Sequence, residues 1–151
     1  MKLLQVVRAA AIVAGLALIA APALAEGPEI AQVKTAAGAV SVLRDGKSAA
    51  VKPGDFLYEK DVLQTGADGS VGITFTDDSV LSLGANSEAA LAQYAFDSSN
   101  FKGSMLTDLR KGTASMVSGD IARSSPSAMK VRTPTATLGV RGTSFAIEVG
   151  Q

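Results

Sequence analysis

The feature that most constrains the fold is a succession of short alternating runs, each closed by a turn sequence. In "VGITF", Val71, Ile73 and Phe75 fall on one face at a period of two, which is the spacing of a half-buried strand. Similar runs follow one another at intervals of roughly 8 to 12 residues, with no amphipathic helical pattern between them. The pattern predicts an all-β domain, a sandwich or a barrel.

Local turn chemistry divides these runs into predicted hairpins. Asp45-Gly46 predicts a two-residue hairpin, because both central residues need a positive φ. "TDDS" is predicted to join "VGITF" to "VLSLG", and "RKGT" (110–113) is predicted as a further turn. "NSEAALAQYAF" is open to helix or strand and is interpreted as strand from its setting, whereas "DIARSSPS" (120–127) is predicted as loop.

The N-terminus has the layout of a secretory signal peptide. Lys2 and Arg8 precede an apolar stretch, and the small-residue pattern Ala23-Leu24-Ala25 follows it. The alternative is an uncleaved anchor, but the apolar run is short for a membrane core that needs about 20 residues. We expect cleavage after Ala25 and a periplasmic or secreted protein with no membrane span after cleavage.

The expected organisation is therefore a signal peptide over 1–25, a lead-in over 26–38 and one β domain over 39–149. A domain of this size can bury a core without disulfides, and the chain has no cysteine.

Composition removes several classes of function. The chain has 14 basic and 14 acidic residues, so it lacks the cationic surface that a nucleic-acid partner requires. It has no histidine and no cysteine, which excludes Ser-His-Asp and Cys-His nucleophiles and the usual zinc ligands. We expect no metal, no cofactor and no enzymatic activity.

Four segments in order resemble the FecR domain, the periplasmic domain of iron-dicitrate-type transmembrane sensors. They are "VKPGDFLYEKDVLQTG" (51–66), "GSVGITFTDDSVLSLGANSEAAL" (69–91), "LRKGTA" (109–114) and "VRTPTATLGVRGTSFAIEV" (131–149). The resemblance implies a jelly-roll-like sandwich of short antiparallel strands that receives a signal from an outer-membrane transducer and relays it to a sigma factor. The sensors carry a cytoplasmic segment and a transmembrane helix before this domain, whereas a signal peptide is expected here, so we expect a free-standing exported module.

The last of these segments contains an arginine between two glycines. Arg141 can donate up to five hydrogen bonds, and the glycines allow close backbone approach, so we expect a structural brace that reaches inward between strands. The alternative is an anion receptor. The candidate brace comprises Arg141, Gly139, Gly142, Thr143 and Pro134.

A second group of residues is a candidate surface for a ligand or partner. Tyr58 and Tyr94 can present a polar tip to solvent. Asp77 and Asp78 form an acidic pair that is either a turn element, an oxygen-ligand cation site or a site for paired carboxylate chemistry.

Two functions from different classes follow. The first is a non-enzymatic interaction or signalling module that binds an envelope protein, and the alternative is a small-ligand or glycan receptor. A long unpaired strand edge would favour the first, and a pocket lined by Tyr58 or Tyr94 would favour the second. The oligomeric state is left open.

Overall fold

The computed structural model describes residues 27–142 and 144–150. The predicted signal peptide and Thr143 lie outside the described residues. Within them, no helix has both the length and the apolar character needed to cross a membrane.

The described residues form twelve strands and one short helix. The elements are β1 (Glu29–Ala37), β2 (Val40–Arg44), β3 (Lys47–Ala50), β4 (Phe56–Tyr58), β5 (Val62–Thr65), β6 (Ser70–Phe75), β7 (Val80–Leu83), β8 (Glu88–Asp97), β9 (Lys102–Val117), α1 (Asp120–Ser124), β10 (Met129–Arg132), β11 (Thr137–Gly139) and β12 (Ser144–Val149). The all-β prediction is confirmed.

The strands form one curled sheet whose two parts share β9. The order along the sheet is β3-β2-β5-β8-β9-β7-β6-β1-β4. Sheet A contains β4, β1, β6, β7 and β12 with the C-terminal part of β9. Sheet B contains β3, β2, β5, β8, β10 and β11 with its N-terminal part. The jelly-roll topology stays a prediction.

β9 corrects two expectations about the strands. It is 16 residues long, and its pairing with β10 is parallel, so the strands are neither all short nor all antiparallel. The predicted turn at "RKGT" is also wrong, because Arg110 to Thr113 lie inside β9. Gly112 has φ +85° and lies so close to Ser87 that a Cβ would collide with it, so this glycine lets the strand bend and continue instead of ending it.

The other local predictions divide between confirmation and correction. Asp45 (φ 50°) and Gly46 (φ 77°) form the two-residue turn between β2 and β3, and β6 pairs with β7 as a hairpin. "NSEAALAQYAF" contributes β8 and is a strand as interpreted. The predicted loop over 120–127 is wrong in its first part, because α1 forms there.

The core lies between the two sheets and follows the period-two pattern. Val33, Leu63 and Met129 come from different strands and are 0% exposed. Ile121 of α1 is equally buried, so the short helix closes one side of the same core. Burying an apolar side chain of this size contributes about 1.5–3 kcal/mol, so packing can stabilise a chain that has no disulfide.

One buried hydroxyl in this core has no partner. Thr107 is 2% exposed, and its Oγ1 makes no hydrogen bond within the described residues. Because an unsatisfied buried hydroxyl is costly, we expect Thr107→Val to raise the free energy of unfolding by about 1 kcal/mol in urea denaturation. Thr65→Val is the matched control, since the Thr65 Oγ1 donates to the Gly84 carbonyl at 2.6 Å. The control should lose stability, and equal losses in both variants would contradict the prediction.

Candidate functional site

The candidate brace around Arg141 lies at the surface. Arg141 is exposed and makes no hydrogen bond or ion pair within the described residues, and Gly139, Gly142 and Pro134 are exposed as well. Thr143 lies outside the described residues. The bracing role of this group therefore stays a prediction, without support from the placement of Arg141.

An arginine brace to a buried carboxylate occurs at a different position. The Arg44 Nε and Nη2 atoms donate to the two carboxylate oxygens of Asp61 at 2.8 and 2.7 Å, and Asp61 is 1% exposed. The Arg44 guanidinium also lies 4.5 Å from the centroid of the Tyr58 ring, and the Tyr58 N–H donates to Asp61 at 2.9 Å. The contact ties β2 of sheet B to β4 of sheet A.

Sequence reasoning missed this brace for a physical reason. Arg44 and Asp61 are 17 positions apart, and although Asp61 lies in the segment 51–66, nothing in that segment marks it as the partner of Arg44. The available signal was local: Arg44 directly precedes the Asp45-Gly46 turn, and Asp61 directly precedes β5. Which strand ends lie close together can be predicted only when the strand order is known.

The acidic pair Asp77 and Asp78 is divided between core and solvent. Asp77 is 0% exposed, whereas Asp78 is exposed and occupies the left-handed region at φ 63°. The Asp77 carboxylate accepts hydrogen bonds from the Ser79 N–H at 3.2 Å, the Ser79 hydroxyl at 2.7 Å and the Ile121 N–H at 3.3 Å. The two carboxylates therefore do not form a joint site, and Asp77 holds the start of α1 against the β6–β7 turn.

Tyr94 completes this buried network. Its hydroxyl donates to Asp77 Oδ1 at 3.3 Å, accepts from the Asp77 N–H at 3.0 Å and contacts the Thr76 hydroxyl at 2.8 Å. Its ring stacks on Phe75 with centroids 5.3 Å apart. The polar tip of Tyr94 is thus engaged inside the protein.

The environment of Tyr94 makes stability depend on pH at the alkaline end. Burial, aided by the nearby Asp77 charge, raises the pKa of Tyr94 strongly. A raised folded-state pKa contributes stability below the unfolded value of about 10 and loses it as pH rises towards the folded value. We expect the urea midpoint to fall from about pH 10 upward, and to fall less steeply in Tyr94→Phe, which keeps the ring stacking. Parallel pH profiles for the two proteins would contradict this prediction.

Tyr58 and Tyr94 line one pocket, as a ligand site would require. The pocket has a volume of ≈ 280 Å³ and is also lined by Pro28, Glu59 and Lys60. The Glu59 carboxylate accepts a hydrogen bond from the Tyr94 N–H at 3.0 Å. No group of three or more acidic side chains that could hold a metal ion occurs within the described residues.

The outer faces of the two sheets differ in charge. Sheet B carries ion pairs between Arg110 and Glu88 and between Arg132 and Asp108. The Arg110 hydrogen bond lowers the pKa of Glu88, and the Arg132 hydrogen bond lowers that of Asp108. In sheet A, by contrast, Glu148 is the one charged residue of β6, β7, β12 and residues 112–117 of β9.

Small side chains cover that charge-poor face of sheet A. The strand registers place one row of residues across five strands, from β1 to β12. The row consists of Thr35, Gly72, Ser82, Ser115 and Ala146. The residues of this row are therefore all small and uncharged.

Four strands within the described residues have a single neighbour: β3, β4, β11 and β12. β3, β4 and β11 are four, three and three residues long. β12 is six residues long and pairs with β9 in continuous register from Ser144↔Val117 to Val149↔Gly112. Its other edge presents six residues of backbone without a strand partner in the described part of the chain.

Comparison with known proteins identifies the domain. A model of the family described as "FecR protein" matches residues 61–151, well over half of the chain, from the residue before β5 to beyond β12. Searches of curated proteins and of solved structures returned no match.

Proposed function

Because the chain belongs to the FecR family, whose domains are signalling regulators of the periplasm, we propose that it is an exported, non-enzymatic module that binds an envelope protein through the edge of β12. The observation that carries the proposal is the six-residue edge of β12, which no other described strand covers. An exposed edge offers main-chain donors and acceptors to an extended segment of another protein.

The surroundings of the edge support a protein partner. The adjoining outer face of sheet A has small side chains, and Glu148 is the single charged residue of β12 and the three strands nearest to it, residues 112–117 of β9, β7 and β6. Depletion of charge is typical of the centre of a protein interface. The ion pairs of sheet B give that side the character of an ordinary solvated surface.

Export is supported by the sequence of residues 1–25, with its positive start, apolar stretch and small-residue cleavage pattern. A non-enzymatic role is supported by the separation of Asp77 from Asp78 and by the full hydrogen bonding of Asp77. The carboxylates that would perform acid-base chemistry as a pair do not share a solvent-accessible site.

In-cell photo-crosslinking tests this proposal. We expect a photoreactive amino acid in place of Ala146 on β12 to capture a specific envelope protein, a second copy of the chain included. The matched control is the same substitution at Ser48 on β3, which is also exposed and on a sheet edge. No capture at Ala146, or the same products at both positions, would count against the β12 edge.

The pocket lined by Tyr58 and Tyr94 favours a second candidate, a small-ligand or glycan receptor. Its volume of ≈ 280 Å³ lies just below the range of ligand pockets, which begins at about 300 Å³, so only a small ligand would fit. A receptor would give saturable NMR shifts at Tyr58 on titration with a disaccharide of N-acetylglucosamine, and Glu59→Gln would weaken them. Unchanged spectra at millimolar sugar would reject the disaccharide as its ligand.

A further inference from the structure

We propose that the strand accepted by the edge of β12 is β12 of a second copy of this chain, paired antiparallel about a two-fold axis at Ile147. The inference rests on the proposed function, because it takes the β12 edge as the docking surface and names its occupant. Isologous pairing of this kind uses one surface patch twice.

The first argument is that β12 has fewer protective features than the other edge strands. Edge strands are protected by shortness, charged side chains (above all lysine), proline or a bulge, and of these β12 has only the charge of Glu148. β3 begins with Lys47, and the Phe56 carbonyl of β4 already accepts a hydrogen bond from Arg44 at 3.3 Å. β11 has three residues and follows a turn that contains Pro134. β12 is longer, contains neither lysine nor proline, and pairs with β9 without a bulge.

The second argument is the incomplete burial of the inner face of β12. Phe145, Ile147 and Val149 pack against the core but are only partly buried. On the neighbouring strand, by contrast, Met116 is 1% exposed. A further strand beside β12 would cover the exposed sides of these apolar side chains, in the same way that β12 covers the apolar side chains of β9.

The third argument is that the pattern of β12 complements itself in one register. Residues that face each other across an antiparallel pair lie on the same face of the sheet, so a one-residue slip would set apolar against exposed positions. A two-fold axis at Ile147 pairs Phe145 with Val149 of the second copy and Ile147 with its own equivalent. All three apolar residues of the strand then face apolar residues.

An axis at Ala146 also sets apolar residues opposite apolar residues, but it leaves one of the three without an apolar partner. It pairs Phe145 with Ile147 and Ser144 with Glu148, and it leaves Val149 beyond the paired segment. The axis at Ile147 is therefore favoured, and it sets the one charge of the strand, Glu148, against Ala146 of the second copy. No like charges are opposed in this arrangement.

Substitutions at Ala146 test both the interface and its register. The measurement is sedimentation equilibrium on the protein purified after expression and processing in cells, with circular dichroism to confirm folding. We expect a dimer of the wild-type protein. Ala146→Glu sets the new carboxylate of each copy opposite Glu148 of the other copy. We expect this repulsion to raise the dissociation constant of the dimer about tenfold. Ala146→Lys sets opposite charges together at the same exposed position and should preserve or tighten the dimer.

A charge exchange completes the design. Ala146→Glu combined with Glu148→Lys restores opposite charges across the axis, so the double variant should dimerise at least as well as the wild type. If Ala146→Lys weakens the dimer as much as Ala146→Glu, the axis at Ile147 is wrong. A dimer that is unaffected by Ala146→Glu overturns β12 as its interface.

The failure of this inference is distinguishable from failure of the proposed function. A monomer at every concentration whose Ala146 position still captures another envelope protein overturns self-pairing and leaves the proposed function standing. A monomer without any capture through β12 overturns both.

Discussion

Arg44→Ala is expected to lower the free energy of unfolding by about 3 kcal/mol, the lower end of the cost of breaking a buried ion pair by removing one partner, because Asp61 is buried but the Arg44 side chain is 29% exposed. The substitution leaves the carboxylate of Asp61, which is 1% exposed, without its two guanidinium hydrogen bonds. It also removes the cation that lies over the Tyr58 ring. Urea denaturation followed by circular dichroism measures the loss.

Arg110→Ala is the matched control for this experiment. Arg110 forms an ion pair with Glu88, but its side chain is 52% exposed, so water can replace the contact. We expect a loss of at most about 1 kcal/mol for this surface pair. If both variants lost the same small amount, Arg44 would not be the brace between the sheets.

The second large effect is expected at Asp77. Asp77→Ala removes the acceptor from two buried N–H groups, those of Ser79 and Ile121, and from the hydroxyls of Ser79 and Tyr94. Each unsatisfied buried group costs about 1–3 kcal/mol, so we expect a total loss of about 4 kcal/mol in the free energy of unfolding. α1 should loosen first, because Asp77 holds its first turn, and hydrogen exchange at Ile121 reports this directly.

Asp78→Asn is the control from the same acidic pair. Asp78 is exposed at φ 63°, and asparagine tolerates this left-handed backbone, so stability should change by less than about 0.5 kcal/mol. A stable, folded Asp77→Ala protein would show that the buried network is dispensable. It would also reopen a chemical role for this carboxylate.

The strand pattern was predictable because burial imposes a period of two on each strand. "VGITF" alternates in sequence and in burial, with Val71, Ile73 and Phe75 buried as the period of two predicts. β9 was not predictable in this way, because "RKGT" has ordinary turn composition. Only the neighbouring Ser87 shows why Gly112 continues the strand instead of ending it.

The candidate site was less accessible to sequence reasoning than the fold. The interpretation of Asp78 as a turn residue agrees with its exposed position in the β6–β7 turn. Asp77 is buried because α1 packs against it, and the sequence of α1 was predicted as loop. A bracing arginine was expected at Arg141, because two glycines flank it. The observed brace at Arg44 depends on Asp61, which only the strand order brings near. Contacts between distant segments leave no local signature.

The shared strand β9 has a mechanical consequence. A 16-residue strand extends roughly 50 Å, and here one uninterrupted backbone holds β12 at one end and β8 and β10 at the other. A force applied to β12 is therefore transmitted through its hydrogen bonds to β9, whose backbone continues into the opposite sheet without an intervening linker.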